Sequence, residues 1–564
     1  MTGLNAVALG KAPAQLLFKN CSVIDVFTHS VFPGNIAIYE GLIAGIGDYT
    51  EAEEIIDLKG AYVAPGLINA HCHVESSMAI PQRYCEQELK WGVTTLITDP
   101  HEIANVAGTE GIKYMLAAGS SLPINYYVQL PSCVPATPFE HSGATLLAKD
   151  LEPLLELKGV LGLGEMMNVP GVLYEDHDVM AKLDLCRHKG LPIDGHSPCL
   201  GGRELQAYVA QGMATDHEAI SWLEAKEKLR AGMAVLVREG SACHNLEAIL
   251  QGVLAEGCNT SRLAFCTDDK HLAAMEAEGT IAHCLRKAVD LGMNPAEAVA
   301  MATINPARIY GLKGLGAVAP GYRADLVVFN NLVDFKPVAV FCRGEALEKA
   351  LAKVQELPLP AALTSSVTLG SYSEDTFSLS HFAEDKEYPV IKMLPGEIFT
   401  ERESILGRDL PAALKEGRVA ILAVLERHKA TGHVGLGLLA GYGIKNAAVG
   451  TTVAHDSHNL IIAGTSPALM YQAARELEKC QGGYTLIQEQ DICTLPLEVA
   501  GLMSTLPQEQ LISRLREIGE RAHKAGVPVG IDPFISLSFM ALPVIPKIRL
   551  TDMGVFDSQY FKFI

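Results

Sequence analysis

The sequence predicts an α/β protein: a TIM-like (β/α)8 barrel, a small β-sandwich built from both flanks of that barrel, and a C-terminal α/β or α+β domain. Three observations lead there. Eight short apolar runs recur between residues 66 and 267, separated by helix-like stretches at intervals that mostly suit a strand–helix unit of about 30 residues. Strand-like texture brackets this series on both sides. Near Leu351 the pattern changes again, close to a linker-like Leu357-Pro358-Leu359-Pro360.

The first sixty residues read as short strands: Leu16–Phe18, Cys21–Ile24, Asn35–Tyr39 and, after a Glu40-Gly41 turn, Leu42–Ile46. The same texture returns at Leu326–Phe329 and Val338–Phe341, so residues 1–64 and 302–350 are expected to share the sandwich. The barrel is expected over residues 65–301. Its runs are Gly66–Ala70, Thr94–Thr98, Ile124–Val128, Val160–Gly164, Leu191–Gly195, Gly212–Asp216, Met233–Val237 and Leu263–Thr267, with helices such as Pro81–Lys90 and Val179–Lys189 between them. A doubly wound open sheet would show much the same alternation. Residues 351–564 mix strand-like runs (Val419–Leu425, Asn446–Val453) with helix candidates (Pro467–Lys479, Gln508–Lys524), as a separate domain would.

Composition narrows the function. Half of the 564 residues are apolar and a fifth charged, enough for a core and too little polarity for disorder. Sixty-five acidic residues against 45 basic ones give a net charge of −20, which repels a phosphate backbone and excludes a general nucleic-acid partner. Small neutral or cationic substrates remain. The first twenty residues lack the pattern of a secretory signal, and no apolar run approaches the roughly 20 residues of a membrane span. Thirteen cysteines, the closest pair being Cys258 and Cys266, offer no Cys-x-x-Cys and argue against a disulfide framework. A cytoplasmic protein without a membrane partner is expected, and a homo-oligomer is its expected assembly.

Chemistry gathers at the ends of the runs. His71 and His73 follow run one, Glu165 run four, His196 run five, His217 run six and Asp268 run eight. In a barrel those C-terminal ends meet around one mouth. Residues i and i+2 of a strand point the same way, so His71 and His73 can grip one ion together. Four imidazoles and two carboxylates exceed one tetrahedral zinc site and suit two divalent ions, with Glu165 as the bridge. Such nitrogen and oxygen ligands accept manganese, ferrous iron or zinc.

Ligands after strands one, four, five, six and eight resemble the pattern of the amidohydrolase superfamily. Met301–Arg308 and Gly321–Asp325 resemble the segment by which such chains leave the barrel for their small sheet domain. Longer motifs resemble the bacterial adenine deaminase family: Pro65–Met78, Thr98–Val106, Gly164–Asn168, Asp194–Pro198, Thr215–Glu218, Thr267–His271, Val453–Asn459 and Ala541–Pro546. Glu165 stands where many superfamily members carry a carboxylated lysine, which favours the narrower family. The resemblance implies two metal ions per subunit, manganese or iron before zinc, and hydrolysis of adenine to hypoxanthine and ammonia in purine salvage. It also implies that Asp268 moves a proton from the attacking water to the leaving amine. The cytidine deaminases combine His-x-Glu with Pro-Cys-x-x-Cys around one zinc, and this chain has no Cys-x-x-Cys, so that design is excluded.

Further residues adjoin these motifs. Glu75, Glu102 and Glu218 are candidates for protonating the purine ring or for orienting a ligand histidine. Ser76 and Ser77 could bind the purine edge or cap a helix. His101 could bind substrate, support a ligand or hold metal, and Arg238 could line the pocket or form a surface ion pair. His455, Asp456 and His458 form a compact polar cluster in the last domain, suited to a metal or to a domain interface. Two other functions fit the ligand set: a cyclic amidohydrolase of the dihydroorotase or hydantoinase kind, or a scaffold that kept the barrel and lost its chemistry. The second should lack ligands, and all six are present.

Overall fold

Eight parallel strands run in chain order through one sheet: Leu67–His73, Val93–Thr98, Asn125–Leu130, Val160–Met166, Ile193–Gly195, Thr215–Asp216, Ala234–Arg238 and Leu263–Cys266. Each falls on one of the eight apolar runs. The computed structural model describes residues 3–241, 243–354, 357–395 and 399–564. Barrel strand eight breaks after Cys266 and resumes as Asp268–Asp269, which pairs with strand one through Asp268↔Cys72 and Asp269↔His73. The Thr267 amide also donates to the His71 carbonyl at 3.3 Å. These contacts join the last strand to the first, so the sheet is a closed barrel and not an open doubly wound one.

Apolar side chains fill one end of the barrel. Ile68, Ala70, Ile97, Leu236, Ala264 and Cys266 form a buried cluster with Ala307, Tyr310, Leu312 and Leu315 from the chain leaving the barrel. On the outside, Leu96, Val235, Val237 and Phe265 pack with helical residues such as Tyr84, Leu89, Ile112, Leu183 and Leu285. The helix expected from Val179 begins at His177, because the Asp176 side chain accepts the amides of Asp178 and Val179 and caps the first turn. Pro81–Lys90, Pro467–Lys479 and Gln508–Lys524 are helices as the sequence predicts.

The two flanks of the barrel meet in one eight-stranded sheet. Leu326–Phe329 pairs antiparallel with Tyr62–Pro65, which pairs with Ala14–Asp25. The runs Leu16–Phe18 and Cys21–Ile24 are a single strand with a bulge between Phe18 and Cys21. The sheet curls on itself: Ile43 donates to the Tyr322 carbonyl and Gly321 to that of Ile43, both at 2.8 Å. A core of Phe18, Val23, Ile38, Ile43, Val63, Val328 and Phe341 results, so a continuous sheet supplies both faces of the expected sandwich. Two features escape the apolar pattern. A helix, Gly3–Ala8, precedes the strands, and Ala52–Asp57 is a strand whose Glu53-Glu54 pair hides any alternation.

The C-terminal region carries a second eight-stranded sheet, with Val419–Leu425 and Ala447–Thr451 inside it and Pro467–Lys479 packed on it. It docks on the barrel. Met78 and Ser504 share a backbone hydrogen bond at 2.8 Å, and the Asn459 amide donates to the His141 carbonyl at 2.7 Å. Among the described residues no helix is long and apolar enough to cross a membrane. All thirteen cysteines are free.

Candidate metal centre

The local turn of strand one aims the first two histidines. Ile68 and Ala70 belong to the interior cluster, but the register shifts between Asn69 and Cys72, and Cys72 packs with the outer core. Past that shift His71 and His73 face one another, Nε2 to Nε2, at 3.1 Å. His73 Nδ1 sits 2.8 Å from the Asp99 carbonyl. That carbonyl can only accept, so Nδ1 holds the ring proton and Nε2 is left free as a ligand atom.

Glu165 stands at the centre with 4% exposure. Its Oε1 lies 3.5 Å from His73 Nε2 and 3.4 Å from His101 Nδ1. Its Oε2 lies 2.6 Å from His196 Nδ1 and 3.2 Å from His217 Nε2. One carboxylate thus presents each oxygen to a different pair of imidazoles, as a bridge between two ions requires. Asp268 Oδ1 is 3.0 Å from His73 Nε2 and 3.6 Å from His71 Nε2. All six residues named from the strand ends therefore converge on one pocket.

The donor set fits divalent ions. Both ring nitrogens of His217 and Nδ1 of His101 are buried without a hydrogen-bond partner among the described residues, an unfavourable state that a cation would relieve. Nitrogen and oxygen donors from His71, His73 and Asp268, from His71, Glu165 and His217, and from His196, His217 and Glu218 lie within 4.8 Å of one another in each set. His101 joins His73 and Glu165 in a further set. Burial and the nearby His217 charge press His71 down to about 4, whereas the carboxylates around them, Asp268, Glu218 and Glu165, outweigh burial and lift His73, His196 and His217. Burial raises Glu165, but His196 and His217 outweigh it and hold the carboxyl well below the usual range.

Second contacts fix this arrangement. Asp99 reaches under Gly164 and accepts the Glu165 amide at 2.9 Å; a Cβ at Gly164 would collide with its carboxylate. Asp216 accepts the Ser197 amide at 2.9 Å and the buried Lys228 ammonium at 2.6 Å, locking together the residues beside His196 and His217. The pairs Gly164-Glu165 and Asp216-His217 were visible as motifs; the partners across the fold were not.

The remaining candidates separate clearly. Arg238 is buried, not a surface ion pair: it bonds Glu218 and, at 2.8 Å, Asp268 Oδ2. Glu218 also lies 3.5 Å from His217 Nε2. Glu75 accepts the Ile103 amide at 3.2 Å and so braces the rim. Ser77 bonds the Val74 carbonyl at 2.6 Å and caps no helix. Ser76 Oγ stands between Glu102, at 2.9 Å, and Asp269. His455, Asp456 and His458 arrive from the C-terminal region. His458 Nε2 is 3.7 Å from Glu102, Asp456 Oδ1 is 4.0 Å from His101 Nε2, and the His455 ring stacks on Phe539 at 5.1 Å. Glu102, His455 and His458 also form a compact set of potential ligands.

Known proteins resemble this chain in sequence over its whole length. Residues 62–347 match the amidohydrolase family, and residues 402–562 match the adenine deaminase C-terminal domain. An adenine deaminase of Desulfitobacterium hafniense (strain Y51) is 41% identical over 100% of this chain and 98% of its own. That of Dehalococcoides mccartyi (strain ATCC BAA-2266 / KCTC 15142 / 195) is 42% identical over 100% and 99%. That of Clostridium acetobutylicum is 41% identical over 99% and 98%. The chain belongs to the adenine deaminase family. In this member, the segment bearing His455 to His458 lies inside the region matched to the adenine deaminase C-terminal domain and reaches the barrel mouth. The amidohydrolase match makes the barrel that of a metal-dependent hydrolase.

Proposed function

We propose that this protein hydrolyses adenine to hypoxanthine and ammonia, in purine salvage, with two divalent ions held by His71, His73, Glu165, His196, His217 and Asp268. The observation that carries this is the split engagement of Glu165, one oxygen toward His73 and the other toward His196 and His217. Manganese or ferrous iron suits the mixed nitrogen and oxygen donors, with zinc the third choice. When bound, such ions supply a water of lowered pKa, able to act as hydroxide near neutral pH.

The chain's own residues do the rest. Asp268 is held with Oδ1 toward the histidines and Oδ2 on Arg238. It takes a proton from the water that attacks C6 of the purine and delivers it to the departing amine. Burial raises the Asp268 carboxyl, but the contacts with His71 and His73 and the Arg238 charge hold it well below the usual range. It therefore meets the water ionised, as a base must. Glu218 and Arg238 form a charged wall beside His217 that fixes this orientation.

The test is metal analysis together with ammonia release from adenine, adenosine, dihydroorotate and hydantoin. Two ions per chain with ammonia from adenine are expected. Ring opening of a cyclic amide without ammonia from adenine would overturn the proposal.

A further inference from the structure

The C-terminal segment 453–459 places a carboxylate over the barrel mouth that none of the steps above uses. Asp456 is 5% exposed. Its Oδ1 lies 4.0 Å from His101 Nε2 and 3.9 Å from His455 Nδ1, beyond hydrogen-bond distance, and its Oδ2 is buried with no hydrogen-bond partner among the described residues. Most other acids of the rim are engaged: Glu165 by His196, Asp268 by His73 and Arg238, Glu218 by Arg238, and Asp269 by Ser76, while Glu102 has one oxygen on Ser76 and the other buried without a hydrogen-bond partner among the described residues. A buried carboxylate oxygen without a partner is costly, and such a group in a cleft calls for a donor brought by a ligand.

Its depth suits a particular donor. Glu165 Oε1 is 3.4 Å from one nitrogen of His101, and Asp456 is 4.0 Å from the other. Asp456 thus stands one imidazole beyond the metal centre. A purine with C6 at that centre directs its five-membered ring away from the ions by about one ring width. The His455 ring, stacked on Phe539 with 17° between planes, offers a flat aromatic wall beside the same spot.

We propose that Asp456 reads the substrate, accepting the N–H of the imidazole half of the purine and thereby selecting the free base over purines substituted at N9. A free base carries one such N–H. An N9-substituted purine carries none, and its N7 turns a lone pair on the carboxylate. A buried group left unpaired in this way discriminates by factors up to about 10⁴–10⁵. This inference rests on the proposed adenine deamination, and it gives the C-terminal domain a share in the active site.

The experiment compares manganese-loaded wild type, Asp456→Ala and Asp456→Asn on adenine and 9-methyladenine, with metal content measured for each. Wild type is expected to prefer adenine by roughly 10³-fold or more in kcat/KM. Asp456→Ala is expected to lose about 100-fold on adenine, mostly in KM, to keep two ions, and to lose at least tenfold of the preference. Asp456→Asn, which retains an acceptor oxygen, should recover part of both and carries the test if the alanine variant does not fold. An unchanged preference in either folded variant, or loss of activity in proportion to lost metal, would overturn the proposal. Failure of wild type to release ammonia from adenine would instead strike the proposed reaction itself.

Discussion

Glu165 and Glu102 are both buried glutamates of one pocket, and their surroundings drive them in opposite directions. Burial raises each carboxyl. Around Glu165 the imidazoles of His196 and His217 reverse that effect, and the acid is held well below its usual range. Around Glu102 the neighbouring charges of Glu75 and Asp269 add to it, and the acid is pushed well above. Burial likewise lifts Glu75 to about 7. One side of the mouth favours the charged carboxylate, the other the protonated acid. Residue type alone does not separate these roles, but company does.

That contrast can be broken most severely at Glu165. Glu165→Ala should lower kcat by roughly 10³-fold or more, about 4 kcal/mol of transition-state stabilisation, with metal loss detected by elemental analysis. Intact metal content in this variant would end the bridging role. Asp268→Asn should keep much of the metal and still cut kcat by about 10²–10⁴-fold, the scale of general acid–base catalysis; unchanged turnover would remove it from the proton path. Glu102→Gln imitates a protonated acid, so steady-state kinetics should show a loss of less than about tenfold, below the usual range for a disrupted supporting contact. A thousandfold loss would make Glu102 a ligand.

The smallest effect lies away from the ions. Glu88, on the helix Pro81–Lys90, is raised to about 7 by burial despite hydrogen bonds from Thr280 and Asn69. Its folded pKa exceeds its unfolded one, so its own contribution to stability is fullest below about 4.5. That advantage is lost as pH rises from about 4.5 to 7, at up to roughly 1.4 kcal/mol per unit. Urea unfolding at pH 5 and pH 8, at fixed metal content, should show a flatter pH dependence in Glu88→Gln than in wild type. Equal slopes would mean that Glu88 ionises normally.

Much of this was legible in the chain because the fold repeats a simple unit. Apolar runs mark all eight barrel strands, and the candidate ligands sit where such strands end. The same logic could not supply Asp99 under Gly164, since nothing local distinguishes it from a turn aspartate. It could not assign Asp456 a place at the mouth, because Asp456 lies some 355 residues from its neighbour His101 and only tertiary docking joins them. Sequence leaves Arg238 open between a pocket wall and a surface ion pair, because its partner Asp268 is 30 residues away and its burial depends on barrel closure. The curled small sheet hides from periodicity for a related reason: alternation reports one face per strand, not how a sheet bends.

The broken eighth strand has a consequence of its own. Asp268 and Asp269 pair with Cys72 and His73, and Asp268 holds a left-handed backbone at φ 58°. The seam of the cylinder and the acid proposed to move the proton are therefore the same short stretch of chain. Two residues of pairing make a weak fastening, so gentle heating should open this seam and silence the enzyme before the remaining strands come apart.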